Sequence, residues 1–330
     1  MRPFNLIQSG TVAEALQATV ASARPKYLAG GTNLVDLMKE DVERPETVVE
    51  VAGLDEKSIR PTSQGGLRLG GMLNNTDTAN HPDVRRDYPL LSMAMLSAAT
   101  EQIRNMATNG GNLLQRTRCP YFYETSMPCN KREPGSGCGA LNGMNALHAI
   151  FGWSEACVAT NPSDMNVALA ALGATVELMQ PGGGTRRIPF TELHRLPGDA
   201  PERDTNLEPG ELIVGIELDA PRFSDHYYYL KIRERSSYAF ALVSVAAGLQ
   251  VQGGRITAAG LAMGGVAHKP WKLTAAEEYL VGKAPETDTF EAAAELAMRD
   301  ARPLEENEYK IEMGHRAVVR ALEQAIARQA

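Results

Sequence analysis

At 330 residues, with 43% hydrophobic and 22% charged side chains, the chain has enough apolar content for two globular cores. A formal net charge of −7, with no basic stretch, sets nucleic acid aside as a partner. No apolar run approaches a bilayer span, and Met1 to Leu6 gives way to polar residues, so neither membrane insertion nor a secretory signal is expected. Taken alone this predicts a cytoplasmic chain, with export as the passenger of a signal-bearing partner left open.

The first 55 or so residues read as one α/β unit. Thr11 to Val20 has helical spacing, with Thr11 as N-cap and Glu14 completing a capping box. Lys26 to Ala29 predicts a strand running into Gly30-Gly31-Thr32-Asn33, then a helix over Leu34 to Lys39 and a strand over Thr47 to Val51. A strand begins again after Gly66, a helix is expected over Pro89 to Ala99, and Asn109-Gly110-Gly111-Asn112 reads as a second glycine turn. From Leu113 to Thr160 periodicity is lost, and cysteines, prolines, glycines and basic residues crowd together. Regular structure resumes with a helix from Asp164 and a strand over ATVELM. Pro181-Gly182-Gly183-Gly184 predicts a hairpin turn, Leu196 to Gly210 a loop, and ELIVGIEL a strand. Beyond a boundary near Pro221 come three strands and helical stretches near Thr274 to Val281 and Phe290 to Ala330.

All four cysteines, Cys119, Cys129, Cys138 and Cys157, fall in the irregular stretch. Disulfides suit small exported domains better than a chain with large cores. Zinc usually takes paired C-x(2–4)-C knuckles, and every gap here is longer. An iron–sulfur cluster also takes four thiolates with looser spacing. Arg116, Arg118, Lys131 and Arg132 would offset its negative charge, and Gly135, Gly137 and Gly139 would let amides approach sulfur. A solvated basic loop accounts for the charges but not for the cysteines; zinc stays open.

Gly30-Gly31-Thr32-Asn33 follows a strand and opens a helix, so its amides can cradle a pyrophosphate, although the G-x-G-x-x-G fingerprint is absent. Alone, such a turn is more often only a turn. Thr108-Asn109-Gly110-Gly111-Asn112 repeats the chemistry, and Thr160-Asn161-Pro162-Ser163-Asp164 precedes an apolar helix, where Ser163 or Asp164 serves by default as the N-cap.

Together KYLAGGTNLVDLM, RNMATNGGNLLQ and CVATNPSDMNVALAALGA, followed in order by GELIVGIEL and YLKIRERSSYAFALVSVA, resemble the FAD-binding subunit of molybdenum hydroxylases over nearly the whole chain. The cysteine stretch is most similar to that of the medium subunit of bacterial periplasmic aldehyde oxidoreductases, where the insertion is associated with a 4Fe–4S cluster. The resemblance implies an α+β architecture: an FAD-binding fold of the vanillyl-alcohol-oxidase type over about 1–220, in subdomains of about 1–55 and 56–220 with an iron–sulfur insertion at about 113–160. A C-terminal α+β domain like that of CO dehydrogenase flavoproteins would occupy 221–330.

By the same resemblance, Lys26, Tyr27, Leu28, Ala29, Gly30, Gly31, Thr32, Asn33 and Leu34 wrap the FAD pyrophosphate and ribityl chain. Thr108, Gly111 and Asn112 form the second loop, Asp164 hydrogen-bonds the cofactor, and Leu212 and Ile213 lie near it. Lys231 stands near the isoalloxazine ring; without the family it would read as a solvated lysine on a strand. Cys119, Cys129, Cys138 and Cys157 hold the cluster. Where animal xanthine dehydrogenases carry an acidic segment after this lysine, the chain has RERSSYAF, so NAD is not expected as acceptor.

The implied function is electron transfer in a heterotrimeric molybdenum aldehyde oxidoreductase. Aldehyde is oxidised on a large molybdenum-cofactor partner, and electrons arrive through 2Fe–2S clusters on a small partner. The implied location is the periplasm, by co-export with a signal-bearing partner. The competing readings are the medium subunit of an aromatic acyl-CoA reductase or xanthine dehydrogenase, a self-sufficient flavin oxidase, and a zinc-stapled scaffold. None of His81, His148, His194, His226, His268 and His315 has the sequence context of a catalytic base.

Overall fold

Thr11 caps the first helix, Val12–Val20, by accepting a hydrogen bond from the Glu14 amide (3.2 Å); the Glu14 carboxylate reaches back to the Gly10 amide (2.8 Å), one residue short of the expected box partner. The computed structural model describes residues 1–327. The first unit is a parallel three-stranded sheet of β1 (Asn5–Gln8), β2 (Pro25–Leu28) and β3 (Thr47–Glu50) in the order β1-β3-β2. β1 was not expected from the sequence: its burial is slight, so it carries little apolar signal. The sheet packs Val49 and Val51 on Ala15 and Leu16 of the helix, and Leu212 and Val214 of a later strand complete this core.

The second sheet is antiparallel, β4-β5-β8-β6-β7, formed by Ile59–Pro61, Leu67–Gly70, Leu212–Leu218, Thr175–Met179 and Thr185–Pro189 respectively. The glycine run 182–184 joins β6 to β7 as a hairpin, as its composition requires. Between β5 and β6 the chain forms Pro89–Ser97, as expected, and also Asn75–Asn80, Pro82–Asp87 and Glu101–Met106, which short polar sequences did not announce. All nine residues of the helix Asp164–Leu172 are buried. Its apolar character on every side fits its position between the Pro89–Ser97 helix and the third sheet.

That third sheet is antiparallel, β12-β11-β10-β9, from Trp271–Lys272, Arg255–Gly264, Val243–Gln252 and His226–Ile232. Alternation along β10 sends Val243, Val245, Ala247 and Leu249 to the C-terminal core and Ala246 to the central one, so both faces read apolar. The helices Thr274–Leu280, Thr287–Met298 and Tyr309–Ala327 cover its outer face. The helical stretch expected over 290–330 is therefore two helices. Pro303 lacks an amide and disfavours helix at the residue before it, and 299–308 is spent on the break. Residues 328–330 of that expectation lie outside the described residues.

The cysteine stretch between Leu113 and Asp164 has one helical turn, Pro120–Tyr123, and isolated pairings of Cys129 with Cys138 and Ser154 with Cys157. A small apolar cluster of Tyr121, Ala140 and Val158 supports it. The C-terminal unit clasps it. The Asn145 amide donates to Glu306 Oε2 (2.8 Å), the Glu306 amide donates to Asn145 Oδ1 (3.0 Å), and Asn307 Nδ2 donates to the carbonyls of His148 (3.1 Å) and Ala149 (3.2 Å). No described helix is long and apolar enough to cross a membrane.

Candidate cofactor-binding site

One cavity of about 1070 Å³ opens among the loops of all three sheets, at the upper end of the range for ligand pockets and so suited to a large ligand. Every position expected from the sequence lines it: Lys26 to Leu34, Thr108, Gly111, Asn112, Asp164, Leu212, Ile213 and Lys231.

The first glycine loop leaves β2 and enters the helix Leu34–Lys39. Gly31 adopts φ +72°, a left-handed conformation that explains glycine there. Gly30 is glycine for a different reason. A Cβ on it would stand 1.8 Å from the Met106 carbonyl oxygen, so the missing side chain lets the first loop pack on the backbone just before the second. Among the described residues, the amides of Thr32 and Asn33 meet no backbone carbonyl, and Asn33 Nδ2 is buried without a partner. Asn33 Oδ1 accepts from the Arg116 amide (2.8 Å), fixing the loop to the start of the cysteine stretch.

The second loop is not a turn. Thr108 is the N-cap of a short helix, Asn109–Leu113, its hydroxyl accepting from the Gly111 amide (3.1 Å). Gly110 donates to the Gly71 carbonyl (2.7 Å), so this pair of glycines also serves close packing. Asn112 is a junction: Nδ2 donates to Asn75 Oδ1 (2.6 Å), and Oδ1 accepts from Gln115 (2.7 Å) and from the Ser163 hydroxyl (2.6 Å). Ser163, rather than Asp164, caps the next helix by accepting from the Asn166 amide (3.1 Å).

Asp164 is thereby free for other work. Oδ2 accepts from Lys231 Nζ (2.8 Å), Oδ1 accepts from the Tyr229 hydroxyl (2.7 Å), and Lys231 also donates to the Ser97 carbonyl (3.2 Å). The side chains of the ion pair are only 5% and 4% exposed, which rules out a solvated lysine on an open strand. Burial, with Asp164 beside it, pushes the Tyr229 hydroxyl far above the usual tyrosine range, so it donates and does not ionise. The pair presents a fixed ammonium at the cavity wall.

Several wall residues were not singled out in the sequence. Arg104 reaches the Ala98 carbonyl (2.6 Å) and keeps a buried Nε without a partner. Ala99 (φ +48°) and Tyr238 (φ +50°) are non-glycine residues in left-handed conformations on the wall. Neither type carries a sequence signal for such a backbone. Arg118 lies 5.3 Å from the ring centroid of Phe240, joining the cysteine stretch to the loop after β9.

The four cysteines line one small void next to this cavity, and none is in a disulfide. Thr117 and Cys119 belong to both walls. Burial pushes the Cys119 thiol up to about 12, although the amides of Tyr121 and Phe122 pull it down, and burial pushes Cys157 up to about 11. As bare groups both are protonated at neutral pH. Among the described residues no three or more His, Cys, Asp or Glu side chains form a ready single-ion site.

Two expectations about this stretch are corrected in part. Most of the flanking cations are spent within the protein. Arg116 bonds Asp204 (2.7 Å) and Glu43 (2.5 Å), Lys131 pairs with Asp204, Arg118 pairs with Asp36 (2.9 Å), and Arg132 donates to the carbonyls of Tyr121, Phe122 and Met127. The glycine amides are spent too. Gly135 and Gly137 donate to Asn130 Oδ1 (3.0 and 2.8 Å), and Gly139 donates to the Pro128 carbonyl (3.0 Å). These bonds build the stretch, while Lys131 and Gly139 also line the void of the four cysteines and the Lys131 ammonium pulls against the rise of the Cys157 thiol.

Of the histidines, His194 and His268 are buried against carbonyls and held near a pKa of about 4 by burial, which makes them neutral structural groups. His148 is different: its Nε2 lies 3.1 Å from Cys119 Sγ.

Residues 2–221 match the family of FAD-binding domains in molybdopterin dehydrogenases, and residues 228–325 match the CO dehydrogenase flavoprotein C-terminal domain. With two families covering almost all of its length, the chain belongs to the FAD-binding medium subunits of the molybdenum hydroxylases, a family of oxidoreductases. It is 47% identical to the aldehyde oxidoreductase FAD-binding subunit PaoB of Escherichia coli K12, over 99% of each chain. The glyceraldehyde dehydrogenase medium chain of Sulfolobus acidocaldarius is 25% identical over 91% of this chain and 89% of its own. A solved carbon monoxide dehydrogenase from Hydrogenophaga pseudoflava superposes with a TM-score of 0.77 at 26% identity, covering 100% of both chains.

Proposed function

We propose that this chain is the FAD- and 4Fe–4S-binding electron-transfer subunit of a three-subunit molybdenum-dependent aldehyde oxidoreductase. The observation that carries the reading is one dinucleotide-sized cavity lined by both glycine loops, with four free cysteines gathered around a single small void beside it. The full-length likeness to an aldehyde oxidoreductase subunit supports the substrate class. Aldehyde oxidation belongs to a large molybdenum-cofactor partner, with a small 2Fe–2S partner between it and this chain and an external acceptor other than NAD beyond.

FAD, when bound, supplies a carrier that takes up an electron pair and can release it singly. The residues of this chain hold and bias it. Lys26 to Leu34 and Thr108, Gly111 and Asn112 wrap its phosphates and ribityl chain, with the free amides of Thr32 and Asn33 as donors. Leu212 and Ile213 exclude water. Lys231, oriented by Asp164, offers positive charge that favours an anionic reduced ring. Cys119, Cys129, Cys138 and Cys157 would hold the cluster as thiolates, which at Cys119 and Cys157 overcomes a raised affinity for protons. The complex is proposed to work in the periplasm, carried out folded by a signal-bearing partner; recovery in the cytosol alone would count against export.

The test is anaerobic addition of an aldehyde to the assembled complex and to the flavin-loaded chain alone. Bleaching of the flavin in the complex and not in the isolated chain is expected. Aldehyde oxidation by the isolated chain without molybdenum would overturn the reading.

A further inference from the structure

We propose that His148 is a positioning residue of the cysteine site, its Nε2–H donating a hydrogen bond to the Cys119 thiolate and so raising the reduction potential of the cluster held there. The inference rests on the 4Fe–4S reading and goes beyond it by assigning a part to a side chain that is neither a ligand nor a flavin contact by family pattern.

The geometry is specific. His148 Nε2 stands 3.1 Å from Cys119 Sγ, and the Tyr121 ring, two residues beyond that cysteine, lies 6.5 Å from the imidazole. His148 is buried, and its Nδ1 has no partner. A thiolate can only accept, so the proton on a neutral ring must sit on Nε2, leaving Nδ1 as a bare lone pair that needs no acceptor. Cys119 and His148 both line the flavin cavity, and Cys119 also lines the cysteine void, so this hydrogen bond lies in the wall between the two.

The ring is held by the C-terminal unit. Lys310 Nζ donates to the His148 carbonyl (3.0 Å) and to the Gly265 carbonyl (2.8 Å), while Asn307 donates to the same His148 carbonyl (3.1 Å). Two donors on one carbonyl fix the backbone from which the imidazole projects. A histidine held only for packing has no need of this clamp or of a nitrogen aimed at sulfur. A hydrogen bond to a ligating sulfur withdraws electron density and favours the reduced, more negative cluster.

The experiment is an EPR-monitored redox titration of the purified complex as wild type, His148→Met and His148→Gln, each first analysed for iron, sulfide and flavin. At a poise where the wild-type cluster is half reduced, the reduced-to-oxidised ratio is expected to fall about tenfold in His148→Met, ~59 mV for a one-electron couple. His148→Gln, which keeps an N–H donor of similar reach, should recover most of that change. An unchanged midpoint in a fully loaded His148→Met complex overturns the proposal. Should both variants lose iron, wild-type complex carrying ¹⁵N-histidine decides: a histidine nitrogen coupled to the reduced cluster is expected, and its absence overturns the proposal. A wild-type complex without any cluster on this chain sinks the cluster reading instead, and the proposal with it.

Discussion

Around the flavin cavity most polar side chains satisfy one another inside the protein, Asn33 Nδ2 and Arg104 Nε being exceptions. Asp164 meets Lys231 and Tyr229, Asn112 meets Asn75 and Ser163, and the Thr108 hydroxyl caps the Gly111 amide. Around the four cysteines the thiols meet His148 and a few amides, those of Tyr121 and Phe122 at Cys119 and of Ala159 at Cys157, and the order of the surrounding chain comes from outside. Asp204, Glu43 and Asp36 pin the basic residues, and Asn307 and Lys310 pin the carbonyls. The cavity is a preorganised scaffold whose walls belong to three sheets and their cores. The cysteine stretch has only the small cluster of Tyr121, Ala140 and Val158, and under the proposed reading its stability would be tied to a cluster on the thiols.

The sharpest way to separate the two regions is to remove one thiol. In Cys157→Ser the chain should lose essentially all of its own iron and sulfide while flavin binding persists, as read by elemental analysis and the flavin absorption bands. Parallel loss of flavin would merge the two regions into one.

Next in size is the buried ion pair. Lys231→Met leaves the Asp164 carboxylate with only the Tyr229 hydroxyl, and should cost ~3–5 kcal/mol in urea unfolding of the flavin-loaded chain. Asp164→Asn combined with Lys231→Met should recover much of that loss. If the single variant unfolds like the wild type, the cavity is less preorganised than its bonding implies.

Gly30→Ala probes how the two loops share space. Its Cβ would meet the Met106 carbonyl at 1.8 Å, and overpacking of this kind costs ~1–3 kcal/mol. Flavin should be retained more weakly on gel filtration, whereas Gly53→Ala, with nothing within 4 Å, should behave as wild type.

The smallest effect expected is a pH dependence. Burial alone would raise the Asp204 carboxyl, yet Arg116 and Lys131 overcome this and hold it well below the usual carboxylate range. A depressed carboxyl stabilises the fold above the unfolded value of about 3.9 and loses that contribution as pH falls through the folded value. Limited proteolysis within 113–160 should therefore stay slow at neutral pH and speed up below pH ~4. Asp204→Asn should be cleaved faster already at neutral pH, with a weaker acid response.

The two regions also differed in how much the sequence disclosed. Strand, glycine loop and helix over residues 25–39 were legible because a left-handed glycine and a helix entry leave a compositional mark; the close approach of Gly30 to Met106 was not, since it joins segments distant in the chain. The cysteines announced themselves by clustering, while the fate of Arg116, Arg118 and Lys131 depended on carboxylates far off in sequence. His148 shows the limit most clearly. Nothing around it in the chain marks it, and only folding brings it to Cys119. Likewise, Lys231 by residue type alone read as solvated; the resemblance set it near the flavin ring, and its burial against Asp164 shows only once β9 and the Asp164 helix are placed side by side.

The central claim, two redox sites on one chain, is tested most directly by iron, sulfide and flavin analysis with EPR of the reduced complex, wild type beside Cys157→Ser. The account predicts flavin in both and a 4Fe–4S signal in the wild type alone. Identical iron and identical EPR spectra in the two, or a complex without flavin, would contradict it.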